Sequence, residues 1–209
     1  RLLILIIATI ISSCSAQTVT SEFDLVQANK KKTLMQADNY VKEMIGDQNF
    51  TRHFYRPLSY CTIDSDSNFK YTSYEDSVKF IPTKYKVRYL IQIDSIEYDQ
   101  VTIEFNSRLE NQVDSTHYVY FDLIGWRNIL NRTYETSPND VYAIVSKIYP
   151  SLKWKKPKLN CSRNDLKQVP FFYYWKIAQD DCTECIGFSI HCKDGEILSE
   201  FKKVVKHIE

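Results

Sequence analysis

Three of the six cysteines fall within eleven residues: Cys182-Thr-Glu-Cys185 is a C-x-x-C, and Cys192 follows seven positions later. Thiols in such a pattern can hold a metal, exchange electrons or staple the chain. Tetrahedral zinc needs thiolates to converge at about 2.3 Å from one ion. A thioredoxin-like pair opens a helix whose N-terminus lowers the thiol pKa. A disulfide needs only two Cα atoms about 4.4–6.8 Å apart.

The residues around the motif choose between these. Ile186-Gly-Phe-Ser-Ile-His-Cys192 alternates like a strand, and so does Phe171-Phe-Tyr-Tyr-Trp-Lys-Ile-Ala178 before it. With Thr183-Glu184 as a two-residue hairpin turn, Cys182 faces Cys185, Ile177 faces Ile190, Trp175 faces Cys192 and Tyr173 faces Asp194. Phe171, Tyr173, Trp175 and Ile177 then share an apolar face with Phe188, Ile190 and Cys192, as a half-buried hairpin requires. Lys176, Cys185, Ser189 and His191 take the other face. Cys192 would lie about 23 Å along the strand from Cys185, at about 3.3 Å per residue, and on the opposite side. No zinc site made of these three is expected; one built from Cys182, Cys185 and two distant ligands stays open. The reading adopted is a short-range disulfide between Cys182 and Cys185, with no metal and no cofactor, since exported thiols usually pair. The rival is a thiol-disulfide oxidoreductase using the same pair, which a helix over 186–192 would favour. Cys192 is expected as a small buried hydrophobe. Cys61, Cys161 and Cys192 are left as an odd number.

Other chemistry is sparse. There is no phosphate-binding glycine loop, no G-x-S-x-G and no H-E-x-x-H. The histidines, His53, His117, His191 and His207, are scattered without metal-ligand spacing. Asp64 and Asp66 lack the rest of a calcium loop. No catalytic residue is therefore named, and a non-enzymatic protein is expected. The densest aromatic run leaves Phe172 and Tyr174 on the face opposite Tyr173 and Trp175, a candidate binding surface. Asn49, Asn131 and Asn160 head N-glycosylation acceptor sequences, which carry meaning only in a eukaryotic secretory pathway.

Composition bounds the partners. Among 209 residues, 27 Lys and Arg meet 26 Asp and Glu. That balance gives no electrostatic footprint for nucleic acid or an anionic membrane. Residues 1–17, RLLILIIATIISSCSAQ, place one positive charge before an apolar run from Leu2 to Ile11, then small residues. The run is about half the ~20 residues that span a bilayer and matches an export signal. Ile11-Ser-Ser-Cys14 resembles the lipobox of bacterial lipoproteins, which implies lipidation of Cys14. Cleavage before Gln17 is the competing reading. The expected location is the bacterial envelope through a lipid anchor, or a secreted or periplasmic form.

These residues need elements to position them. Leu34, Ala37, Val41, Met44 and Ile45 mark one helix from Phe23 to Ile45, with Gly46 as its cap. Residues 53–61 read as an irregular or edge strand, 64–77 as a loop. Period two returns in Tyr85–Ile93 and Val101–Phe105, and His117–Leu123 reads as a further strand. Ser137-Pro-Asn-Asp140 opens a second helix through Ile148, closed by Pro150. Residues 151–170 read as polar turns. Asp194-Gly195 turns into Glu196–Phe201, and Phe201, Val204, Val205 and Ile208 suggest a terminal helix. The fold expected is α+β: two helices packed on antiparallel sheet, in two tandem helix-then-strands modules. Residues 1–16 form the export signal, 17–135 the first module and 136–209 the second.

Within the second module, the helix Asp140–Ile148 before Pro150, the strand Tyr173–Ile177, and Ile186–Cys192 followed by Asp194-Gly-Glu-Ile197 resemble a PepSY-type module of the cystatin-like group. The resemblance covers about seventy residues. It implies an exported accessory or binding module that engages an unknown protein or peptide partner, often by restraining a peptidase. It carries over no catalytic residue.

Overall fold

The computed structural model describes residues 22–65, 70–78, 80–114, 117–162, 172–181 and 184–204. The expected export signal with Cys14, Asp66, Phe171, Cys182, Thr183 and residues 205–209 lie outside the described residues. Among the described residues the fold is α+β, with four helices and two antiparallel sheets, in the order helix then strands, twice.

Helix α1 (Glu22–Ile45) buries Val26, Lys30, Thr33, Ala37, Val41 and Ile45. Those positions form one stripe at the 3.6-residue period. The stripe read from sequence began only at Leu34, because two of its earlier members are polar. Lys30 is 4% exposed, and its Nζ donates to the carbonyls of Tyr74 and Asp76 at 3.0 and 2.8 Å. Gly46, at φ 88°, carries the chain straight into α2 (Asp47–His53). Its N–H donates to Lys42 O and its carbonyl accepts from Phe50 N–H. The strand expected over 53–61 is therefore reduced to β1 (Phe54–Tyr55) and a single 3₁₀ turn at Leu58–Tyr60. Pro57 sits between them and cannot donate to a ladder.

The first sheet is organised around β4 (Lys84–Ile93). β5 (Ile96–Asn106) pairs along one side of it, from Lys84↔Asn106 to Ile93↔Ile96. On the other side β1 and β2 (Thr62–Ser65) lie end to end, with Phe54↔Ile91 and Thr62↔Lys86. β3 (Lys70–Ser73) pairs with β2, so the polar stretch expected as a loop over 64–77 carries the second strand of a hairpin. Polarity misled there because β3 is an edge strand, whose residues need not be apolar. Tyr85, Val87, Tyr89 and Ile91 are buried on the inner face, as the period of two requires.

The segment expected as a strand from His117 is instead α3 (Tyr118–Leu130). Val119, Leu123, Trp126 and Ile129 are buried at helical spacing, and His117 caps the helix by accepting the Val119 N–H. The tyrosines that suggested a strand are its partly exposed side. α4 (Pro138–Ile148) begins as expected: the Ser137 hydroxyl accepts the Asp140 N–H, and Asp140 accepts the Ser137 N–H. This reciprocal cap satisfies two helix-end donors.

The second sheet is a meander, β6 (Lys158–Ser162), β7 (Phe172–Ala178), β8 (Glu184–His191) and β9 (Ile197–Val204). β6 falls in the stretch expected as polar turns. β9 covers the run expected after the Asp194-Gly195 turn and continues through Val204, where a terminal helix was expected from Phe201; Phe201 pairs with Gly187, and its ring fills the space a side chain would need at that glycine. Where β7 meets β8, Trp175 pairs with Ile190 and Ile177 with Phe188. The expected register is thus corrected by two residues. Glu184, expected in a two-residue turn, belongs to β8 and pairs with Val204. The added strand β9 extends β8 beyond its pairing with β7 and displaces the tight turn. A shift of two preserves the side of every residue, so Tyr173, Trp175, Ile177, Phe188, Ile190 and Cys192 are buried on one face as expected.

One hydrophobic cluster runs through both halves. α3 packs on α1, on β5 and on β6, and edge strand β5 lies beside edge strand β6. Trp126 joins them: its ring meets Trp175 edge-on at 5.7 Å, and its Nε1–H donates to Asp99 of β5 at 3.1 Å. The Trp175 N–H in turn donates to Thr136 O at 2.8 Å. Both indoles are fully buried with their single donors satisfied, the condition for burying tryptophan without an orphaned polar group.

Candidate functional site

Alternation along β7 sends Phe172, Tyr174 and Lys176 away from the core, and β8 adds Cys185, Gly187, Ser189 and His191 to the same outer face. The Phe172 ring stands 6.1 Å from Tyr174 and 5.8 Å from His191. Phe172 is 36% exposed and Tyr174 is half-buried. Beyond them, Lys176 Nζ lies 5.0 Å from the Phe201 ring centroid, a cation–π contact on the same face. The result is a shallow face of rings flanked by cations, with Lys158 of β6 paired beside Lys176. It offers large contact area from side chains with few rotatable bonds, which limits the entropy lost on binding.

The sequence reading missed the partner of His191. Its Nδ1 is 2.9 Å from Asp194 Oδ1, which also accepts the Glu196 N–H at 3.1 Å. The Glu196 N–H, and then the His191 bond, hold the Asp194 carboxyl below its ordinary range. This ties the imidazole orientation to the Asp194-Gly195 turn, where Gly195 adopts φ 75°. The spacing His-x-x-Asp beside a turn glycine was the available signal.

The cysteines separate. Cys192 is 1% exposed on the inner face, and burial raises its thiol pKa. Cys61 is fully buried and similarly raised, with the Arg88 backbone opposing. Both are free thiols without thiolate character. Cys161 lies in β6, half-buried. Cys185 is 5% exposed on the outer side of β8, while Cys182 lies outside the described residues. The segment after the motif is a strand, so no helix N-terminus is available there to lower a thiol pKa. Among the described residues no group of three or more His, Cys, Asp and Glu is placed to hold a metal ion.

A cleft of about 630 Å³ opens where the two halves adjoin, among His53, Asp94, Leu130, Arg132, Glu135 and Asp140. Its one hydroxyl–carboxylate contact, Ser137 Oγ to Asp140 Oδ2 at 2.6 Å, is part of the α4 cap. His53 Nδ1 is 2.9 Å from Gln92 O and helps fix the end of α2. The cleft is mixed in charge, and its Ser137 hydroxyl, Asp140 carboxylate and His53 imidazole are committed to local structure. His117 is a helix cap and Asp64 pairs with Lys86 at 2.7 Å, so neither joins a site. The acceptor asparagines Asn49 and Asn131 meet side chain to side chain at 2.8 Å, away from Asn160 in β6.

Compared with known proteins, the chain matches no family model and no curated relative. Among the described residues, no helix is long and apolar enough to cross a membrane.

Proposed function

We propose that this protein is an exported, non-enzymatic binding module of the bacterial cell envelope, anchored by lipid on Cys14, that engages a protein or peptide partner. The observation that carries the reading is the outer face of the second sheet, where Phe172, Tyr174 and His191 cluster beside Lys176 and Phe201. Large aromatic side chains are among the residue types enriched where partners bind. The second half, α4 followed by β6–β9, is proposed as the PepSY-like part, in keeping with a partner that is a peptidase held in check. The test is a photo-crosslinking residue at position 174 in cells. One discrete adduct, not formed when the same residue replaces Glu104 on the first sheet, is expected. Indistinguishable adducts at the two positions would reject the face.

Cys182 and Cys185 are proposed to form a disulfide that staples the β7–β8 connection. In support, Cys185 is not among the free thiols of the described residues. Replacing both with Ser should lower stability only at the small end of the disulfide range, because the closed loop is short, and binding should survive. Mass mapping of thiols in the native protein checks the pairing. Insulin-reducing activity lost in Cys182→Ser would instead establish the oxidoreductase.

A further inference from the structure

We infer that the N-terminal end of α1, together with the Phe80–Pro82 segment, forms a surface that rests on the bilayer. The inference depends on the lipid anchor proposed above. Phe23 lies on the same side of α1 as Val26, Lys30 and Thr33, at i, i+3, i+7 and i+10, yet it is 49% exposed because it overhangs the end of the core. Leu25 is 55% exposed and Ile81 76%. Between them a groove of about 250 Å³ is lined by Leu25, Val26, Phe80, Ile81, Pro82 and Tyr85.

The anchor's position says what covers this patch. Cys14 precedes Glu22 by eight residues, which span at most about 29 Å when fully extended. A lipid on Cys14 therefore keeps the first turn of α1 within that distance of the membrane. α1 has 24 residues and is about 36 Å long at about 1.5 Å per residue, so its other end can stand clear. Exposed Phe, Leu and Ile side chains near a bilayer gain by entering its interface. Glu22 and Asp24 in the first turn complement the helix dipole. They keep the contact shallow and give it no preference for anionic lipid.

The test uses the full lipidated protein, produced in a bacterial host and reconstituted in phosphatidylcholine vesicles. Intact mass first establishes whether Cys14 carries lipid. Fluorescence of an Ile81→Trp variant is then compared with the parent, with and without brominated lipid. Strong quenching at position 81 is expected, with little in a Glu43→Trp control near the far end of α1. Adding Phe23→Ser and Leu25→Ser to Ile81→Trp should remove the quenching. Lipidated protein in which positions 81 and 43 behave alike overturns the inference alone. So does a position 81 shielded from both brominated lipid and aqueous acrylamide, which would mean that another segment of the chain fills the groove. A native Cys14 without lipid overturns the inference together with the reading it rests on.

Discussion

The two sheets present different outer faces to solvent. On the first, β4 turns Lys84, Lys86 and Arg88 outward, the last two half-buried; Lys86 is held at 2.7 Å by Asp64 on one neighbour and at 4.0 Å by Glu104 on the other. Tyr55 and Tyr71 stand exposed nearer its margins. On the second, the corresponding strand exposes Phe172, Tyr174 and Lys176, with rings in contact across strands. A face laced with ion pairs remains solvated, because burying those charges against a partner would cost their hydration. A face of clustered rings loses little by being covered. The contrast locates recognition in the second half, although both sheets close on the same core.

That shared core is the feature whose removal should have the largest effect. Trp126→Ala deletes a fully buried indole that touches Trp175 and donates to Asp99. A loss of about 3–5 kcal/mol is expected for such a cavity, with Asp99 losing its donor as well. Both halves should unfold in one transition, because the same side chain packs on each. Urea unfolding followed by far-UV circular dichroism and by tryptophan emission would check this. Two separated transitions in the parent protein would mean that the sheets are independent, and the comparison would become one between two domains.

The outer faces should respond to substitution in opposite ways. Phe172→Ser with Tyr174→Ser should abolish partner binding, while exposed Phe172 contributes a stability change of only about 0.5 kcal/mol and half-buried Tyr174 a somewhat larger one. Lys86→Gln should leave binding intact and cost about 0–1 kcal/mol, the usual range for a partly exposed ion pair. Binding to the crosslinked partner and thermal unfolding, measured on both variants, would sharpen the contrast. Binding loss in Lys86→Gln with retention in the aromatic double variant would reverse it.

How much of this was legible in sequence depended on which physical signal each element carried. The outer positions of Phe172 and Tyr174 were readable because an error of two residues in register leaves every side chain on its own face. The turn was not readable, because β9 extends β8 from outside the hairpin, and pairing with a third strand leaves no local signal. α3 was misread because its aromatic start, Tyr118-Val-Tyr-Phe121, has strand composition. Its helical period emerges only when Trp126 and Ile129, beyond Gly125, are read together with Val119 and Leu123. That glycine is required by packing: a Cβ there would collide with the Tyr173 ring. Lys30 was invisible as a core position for a simpler reason. Pattern reading assigns charge to the surface, whereas here two backbone carbonyls receive its ammonium.

The smallest expected effect lies at the seam itself. Asp99 belongs to the first sheet but meets the indole that packs on the second. Burial raises its pKa above the ordinary value of 3.8, against the opposing influence of the Gln100 N–H, the Trp126 N–H and Lys158. Because the net shift is upward, the folded protein binds the proton more tightly than the unfolded chain does. Stability from this group is fully present below pH 3.8 and falls as pH rises through the raised value; above that value the penalty of a desolvated carboxylate is constant. Asp99→Asn keeps a side-chain oxygen that can accept from Trp126 and removes the ionisation. The variant's stability relative to the parent should therefore improve between pH 3.5 and pH 7. Urea midpoints of both proteins at the two pH values give the comparison directly. An advantage that shrinks as pH rises would show instead that the carboxylate is held by its donors, and that the seam between the sheets is stabilised by the charge.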